Sequence, residues 1–189
     1  AGPFYLNLPL NTQPAKVTLR LDALPRRPDV RPLVPARSDS VSKAAKAIAS
    51  AARVAIKVGG GGRGAADALR RFAEAAGAAV VLSPASTGVL PDAHPQNMHV
   101  GGSKGSISGN FAMDEAELLV VVGSRAVCQS DCSGIGWPKV QQVVNINADP
   151  IDVQHYNQTI ALTGDAAHLL GALAGELGMR PLTAHCRKG

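Results

Sequence analysis

Gly59, Gly61 and Gly64 satisfy the spacing G-x-G-x-x-G between a β-rich run, Val54-Ala55-Ile56-Lys57-Val58, and an Ala-rich segment of helical periodicity. In that setting glycines let backbone N–H groups approach a phosphate, and the helix N-terminus adds partial positive charge. Dinucleotide binding in the dehydrogenase style also needs an acidic residue about 20 positions on, ending the next strand, to hold a ribose hydroxyl. Here Leu82 is followed by Ser83-Pro84, and Asp92 lies deep in the loop beyond, so that style of binding is disfavoured. The alternative is a tight strand-to-helix turn that binds nothing.

Three further places carry polar groups at the ends of apolar runs. Arg125 follows Val121-Val122-Gly123-Ser124, where a guanidinium can pair with phosphate or, equally, form a surface salt bridge. Asn147-Ala148-Asp149-Pro150 offers hydrogen bonds to a ribose or adenine, or the cap of a turn that Asp-Pro favours in any case. Gly164-Asp165 reads more readily as a helix N-cap than as a ligand contact.

Catalytic constellations are poor. His94, His99, His155, His168 and His185 show no HExxH or paired-ligand spacing, and Cys128-x-x-x-Cys132 lacks a second pair, so no metal ligands are assigned. There is no G-x-S-x-G elbow, and Gly102-Ser103-Lys104-Gly105 has a lysine but not the order of a phosphate-binding P-loop. No catalytic residue is assigned.

The elements that must position these groups alternate between helix and strand. Ser38, Asp39 and Ser40 offer caps for a helix to about Arg53, and a second helix runs from about Gly64 to Ala76. It places Ala68, Leu69, Phe72 and Ala76 on one face and closes on Gly77. Strands are expected over 54–58, 79–82, 118–122, 143–147 and 159–162. A long irregular segment spans 83–105, a short helix 108–115, a loop 123–139, and a helix capped by Asp165 extends to Leu177. Apolar strands without strict alternation are those buried on both faces, and with helices between them they indicate a parallel sheet. The expected fold is α/β, a Rossmann-like doubly wound, mostly parallel sheet of about six strands with helices on both faces. Ligands of such sheets sit at the carboxyl ends of the strands, in the loops that begin at Gly59, Ser83, Gly123, Asn147 and Thr163.

The chain has 189 residues, 46% hydrophobic and 17% charged, with six aromatic residues. No apolar run approaches the roughly 20 residues that a bilayer requires, so no membrane association is expected. Three cysteines, oddly spaced, and the lack of a signal-like segment point to a reducing cytoplasm. The net charge of +5 is uneven: residues 1–71 hold 13 of the 19 Lys and Arg against four acids. Between Lys16 and Arg71 there is no aromatic platform, which argues against nucleic acid. Seven of the 13 prolines fall at or before Pro35, so residues 10–37 read as an extended, solvated connector. Ahead of it, Phe4-Tyr5-Leu6-Asn7-Leu8-Pro9 is a lone strand-like run, which needs a sheet elsewhere to satisfy its backbone.

These residues together resemble the central domain of thiamine-diphosphate enzymes of the acetolactate synthase and pyruvate oxidase type. GPFYLNLPLNTQ is similar to the exit strand of the preceding pyrimidine-binding domain. VAIKVGGGGRGAADALRRFAEAAGAAVV is similar to the family's strand, turn and helix, and STGVLPDAHPQN to its second-strand loop. GGSKGSISGNFAMDEAELLVVVGSR resembles the family's Gly-rich segment, acidic-Leu-Leu strand and Gly-x-Arg turn, and VVNINADPIDVQHYNQTIALTGDAAHLLGAL its last two strands and helix. One departure is that Ala126-Val127-Cys128-Gln129 follows the arginine, where acetolactate synthase usually has acidic residues. Residues 123–170 are about as similar to the flavin-free trihydroxycyclohexanedione hydrolase branch.

The resemblance implies three segments: 1–37, the exit strand of another domain with its linker; 38–178, the central domain; and 179–189, the start of a second connector. It implies a homo-oligomeric parent, dimer or tetramer, handling 2-oxo acids or related carbon–carbon bonds with thiamine diphosphate and magnesium held by its other domains. This segment alone would then be inactive. In family members the central domain carries FAD, ADP or nothing. By position Gly60, Gly61, Gly62, Thr87, Gly102, Gly123, Ser124, Arg125, Asn147, Asp149, Gly164 and Asp165 would line that groove. The competing reading is a standalone FAD- or nucleotide-binding module similar to an electron-transfer flavoprotein domain, which Gly61-Gly62-Arg63-Gly64 resembles.

Overall fold

Val54–Val58 and Leu118–Val122 are each five consecutive residues buried without a break, the signature of strands covered on both faces. In the computed structural model, which describes residues 38–125, 136–150, 152–154 and 159–178 with Pro14, Lys16 and Thr18, they lie side by side in a parallel sheet. The chain divides into two compact units, Ala1–Arg31 and Pro32–Gly189, and all the elements below belong to the second. The apolar run 4–9, nearly all of the connector, the three cysteines and the last eleven residues lie outside the described residues.

Six parallel strands form the sheet: β1 Val54–Val58, β2 Ala79–Leu82, β3 Asn97–Val100, β4 Leu118–Val122, β5 Gln142–Asn147 and β6 Thr159–Thr163. Their order is β3-β2-β1-β4-β5-β6, so the chain builds outward from β1 on one side and then returns to build outward on the other. That reversal between β1 and β4 is the topological switch point of a doubly wound fold.

Among the described residues four α-helices accompany the sheet: α1 Ser38–Ser50, α2 Ala66–Ala76, α3 Ile107–Glu115 and α4 Ala166–Leu177. Alternate residues along each strand face opposite ways. Val54, Ile56, Val58, Val120, Ile146 and Leu162 point to the side that packs Ile48 of α1, Leu69 and Phe72 of α2, and Leu169 and Leu173 of α4. The other side carries Val81, Met98 and Met113 of α3 in one cluster, and Leu119, Val121 and Val143 in a second, with Trp137 packed against both. Lys57 belongs to this second side by alternation. It is wholly buried opposite Val81 and Val121, and its Nζ donates to the Leu82 carbonyl at 3.4 Å.

The expected strands are present, but the segment 83–105 is not irregular throughout: it contains β3, the sixth strand. Two of its four residues are polar and its backbone is bulged, which hides it from a search for apolar runs. Val80 pairs Asn97 while Leu82 pairs Val100, so β3 has one residue more than its partner across that step. His99 absorbs the extra residue at φ 61°, and its N–H donates to Asn97 Oδ1 at 2.8 Å. Asn97 Nδ2 in turn donates to the carbonyls of Leu90 and Pro91, both at 3.1 Å. A bulge on an edge strand discourages pairing with another chain.

Two helix limits also shift. α1 ends at Ser50 rather than about Arg53, and α2 begins at Ala66 because Gly60–Ala65 forms a 3-10 turn first. A run of four glycines lowers helix propensity enough to delay the α-helix. The other end of α2 follows expectation: Gly77 adopts φ 59°, and the N–H of Ala78 reaches back to the Ala73 carbonyl at 3.1 Å.

Candidate functional site at the carboxyl ends of the strands

Each loop at the carboxyl end of the sheet continues the parallel hydrogen-bond ladder by a step. The N–H of Gly59 donates to the Val122 carbonyl at 2.8 Å, that of Gly123 to the Ile146 carbonyl at 2.9 Å, and that of Gly164 to the Asn147 carbonyl at 3.0 Å. On the other flank the N–H of Ser83 reaches the Val58 carbonyl at 2.9 Å, and that of Gly101 the Leu82 carbonyl at 3.3 Å.

The turn after β1 meets the turn after β4 backbone to backbone. Gly61 N–H donates to the Gly123 carbonyl at 3.0 Å, and Gly62 N–H to the Gly59 carbonyl at 3.0 Å. A Cβ built on Gly59 would stand 2.4 Å from the Gly123 oxygen, and one on Gly61 would stand 2.9 Å from the Gly123 Cα. Gly123 sits at φ 56°, and a Cβ there would lie 2.5 Å from the Gly61 carbonyl carbon. Gly62 is held by a side chain instead, since its Cβ would meet Val58 Cγ1 at 2.7 Å. Gly60 and Gly64 are under no such pressure: Gly60 would make an ordinary 3.5 Å contact with Ala85, and Gly64 faces open space.

Beside this junction Ser124 is buried, and its carbonyl accepts from Asn147 Nδ2 at 3.0 Å. Asn147 Oδ1 accepts the N–H of Asp149 at 3.2 Å, so both ends of that amide are engaged by the protein. Asp165 caps α4, its Oδ1 accepting the His168 N–H at 2.9 Å. Arg125 is exposed, and no carboxylate among the described residues pairs with it. Asp149 is exposed as well.

Thr87 and Gly102 lie on the other flank. Thr87 is exposed and its hydroxyl donates to the Pro84 carbonyl at 3.2 Å, while Gly102 N–H donates to Asn110 Oδ1 at 2.8 Å. The structure therefore brings together Gly61 with Gly123, Ser124 with Asn147, and Asn147 with Gly164. It joins Thr87 and Gly102 to their own local turns.

Two residues that matter here escaped the sequence reading. Ser86 is fully buried and donates from Oγ to the Val58 carbonyl at 2.7 Å, while Ser83 and Ser86 cap each other. The spacing Ser-Pro-Ala-Ser resembles a helix-capping signal, which was the available cue. Lys57 had no cue, because an ammonium in the middle of a buried strand contradicts the pattern that reveals the strand.

Among the described residues these loops hold no nucleophile hydrogen-bonded to a base. Among the described residues no group of three or more His, Cys, Asp or Glu side chains comes together as a metal site. His94 Nδ1 accepts the N–H of Gln96 at 3.3 Å, leaving its Nε2 to face Glu74 Oε1 at 3.3 Å, a pairing that braces α2 rather than a cleft. A cleft of about 430 Å³ lined by Lys46, Ser50, Glu117 and Gln141 lies at the amino ends of β4 and β5, away from these loops. No helix among the described residues is long and apolar enough to cross a membrane.

Comparison with known proteins gives a consistent result. The family described as "Thiamine pyrophosphate enzyme, central domain" matches residues 41–173. The acetolactate synthase large subunit of Corynebacterium glutamicum is 26% identical over 175 residues, which are 91% of this chain and 28% of that protein. The acetolactate synthase isozyme 1 large subunit of Escherichia coli is 30% identical over 124 residues, 66% of this chain and 22% of that one. Among solved structures, benzoylformate decarboxylase from Polynucleobacter necessarius superposes with a TM-score of 0.68 at 16% identity, covering 92% of this chain and 33% of its own. The chain thus spans less than a third of the length of these curated relatives.

Proposed function

The chain belongs to the thiamine pyrophosphate enzyme central-domain family, and on that premise we propose that it is the noncatalytic middle portion of a longer thiamine-diphosphate-dependent enzyme. The observation that carries this reading is the family match over 41–173, in relatives of which the chain spans under a third. The parent would act on 2-oxo acids or related carbon–carbon bonds, as the names of the acetolactate synthase relatives suggest. Residues 38–178 are the domain proper, 1–37 the exit from a preceding domain, and 179–189 the start of a connector.

Thiamine diphosphate, bound with magnesium elsewhere in the parent, supplies stabilisation of a carbanion at the substrate carbon. The part left to this domain is positional. A buried parallel sheet with stitched carboxyl-end loops is a rigid spacer between the domains that hold the cofactor. α3 offers such a neighbour an apolar surface: Ile107 is 91% exposed and Phe111, one turn on, is 57% exposed. The parent is proposed to be a homo-oligomer in the cytoplasm.

The domain is also proposed to accept FAD or ADP. Arg125 and Asp149, both exposed, are the groups with which it would engage such a ligand at the rim of the sheet. The isolated chain, given thiamine diphosphate, magnesium and pyruvate, is expected to consume no pyruvate. Turnover by this chain alone would overturn the proposal.

A further inference from the structure

Glycine-rich turns between a first strand and its helix hold phosphate by offering unengaged N–H groups at a helix N-terminus. The turn of this protein has the spacing but a different arrangement. Three of its amides, those of Gly59, Gly61 and Gly62, already donate to the carbonyls of Val122, Gly123 and Gly59 at 2.8 to 3.0 Å. The α-helix begins only at Ala66, after the 3-10 turn, and its first turn carries Asp67, a carboxylate at the end that would otherwise favour an anion. At the switch point between β1 and β4 the backbone of Gly123 lies so close to Gly61 that neither position has room for a Cβ.

We infer that the Gly59–Gly62 turn is a clasp, in which the backbone of Gly61 docks on that of Gly123, and that it closes the switch-point crevice to the diphosphate of a nucleotide. The glycines are required by the approach of two protein backbones. The clasp joins the two halves of the sheet, β3-β2-β1 and β4-β5-β6, at the end where the ladder itself has stopped. A diphosphate seated on the Gly61 amide would have to break its hydrogen bond to the Gly123 carbonyl. Gly64, the third glycine of the motif, supports the same conclusion: nothing lies within 4 Å of a Cβ placed there, so it is not holding helix and strand together. The clasp does not depend on whether the chain is part of a thiamine-diphosphate enzyme.

The test is nuclear magnetic resonance of the isotopically labelled chain, with ADP added to 1 mM and then FAD in a separate sample. The Gly59, Gly61 and Gly62 amides are expected to exchange slowly with solvent and to keep their chemical shifts, both when no ligand binds and when one binds at the rim. Rapid exchange of all three amides in the free chain, or shifts centred on them when ADP or FAD is added, would overturn the inference. Gly61→Ala and Gly64→Ala provide a second reading from thermal unfolding without ligand. Gly61→Ala is expected to lower the midpoint by about 5 °C or more, or to prevent folding, while Gly64→Ala leaves it nearly unchanged. Equal midpoints for the two variants would contradict the clasp.

Discussion

Asn147 and Ser124 are locked together across the ends of β5 and β4: the Asn147 Nδ2 donates to the Ser124 carbonyl at 3.0 Å, with both residues buried. The same asparagine accepts the Asp149 N–H on its Oδ1 and the Gly164 N–H on its own carbonyl, so one residue holds three turns. Asn147→Ala leaves the Ser124 carbonyl buried without that donor and is expected to cost about 1 to 3 kcal/mol. Asn147→Asp keeps Oδ1 but sets an acceptor against an acceptor, and at neutral pH should cost at least as much. Urea unfolding of the two variants measures this, and a loss below about 0.5 kcal/mol would show that the amide is dispensable.

The β3 bulge makes an opposed pair of predictions. His99 holds φ 61°, a conformation that glycine adopts without strain. His99→Gly is therefore expected to be neutral or to stabilise by up to about 1 kcal/mol. Asn97→Ala removes the acceptor for His99 N–H and the donor to two loop carbonyls, and is expected to cost about 1 to 3 kcal/mol. If His99→Gly proved the more damaging, the histidine side chain would have a role that its pairing with Asp92 at 3.8 Å does not account for.

Space around the glycines separates those the fold needs from those it tolerates. A Cβ on Gly105 would lie 2.5 Å from the Val100 carbonyl oxygen, backbone that cannot move aside cheaply. Gly105→Ala is expected to destabilise by about 1 to 3 kcal/mol through overpacking. Gly171, exposed in the middle of α4, has nothing within 4 Å of its Cβ position. Gly171→Ala is expected to stabilise by about 0.5 to 1 kcal/mol, the difference between the two residues in a helix interior. Thermal unfolding midpoints moving in opposite directions would bear this out; a fall for Gly171→Ala would mean that α4 is covered at that point.

Arg125 separates ligand binding from stability. It is exposed, so Arg125→Ala should alter unfolding by less than about 0.5 kcal/mol. Any affinity of the chain for ADP is expected to weaken by about 1 to 3 kcal/mol in the same variant, the scale of a lost charged hydrogen bond. Calorimetric titration gives the comparison, and an unchanged affinity would remove Arg125 from the rim.

The sheet was legible in the sequence where its physics is local. Val54–Val58, Ala79–Leu82 and Leu118–Val122 announce themselves because strands buried on both faces need apolar residues at nearly every position. Even so, Lys57 sits among them fully buried, against the pattern. β3 was hidden because Asn97 and His99 serve a bulge rather than a core. The site was harder for a general reason: the residue types that bind a nucleotide are also those that tie loops together. An amide such as that of Asn147 hydrogen-bonds a ribose or a carbonyl equally well, and a glycine admits a phosphate or another backbone. Which of these occurs depends on what the next turn brings, and the partner of Gly61 is 62 positions away at Gly123. No window along the chain contains both.

If this chain is the middle portion of a longer thiamine-diphosphate enzyme, as proposed, the length of the native polypeptide must show it. Intact-mass measurement of the protein captured from its source by an antibody to residues 38–178 should give a polypeptide about three times as long as this chain, as the coverage of its relatives implies. A native polypeptide of only 189 residues would contradict the claim and leave a self-contained domain whose role must be sought elsewhere.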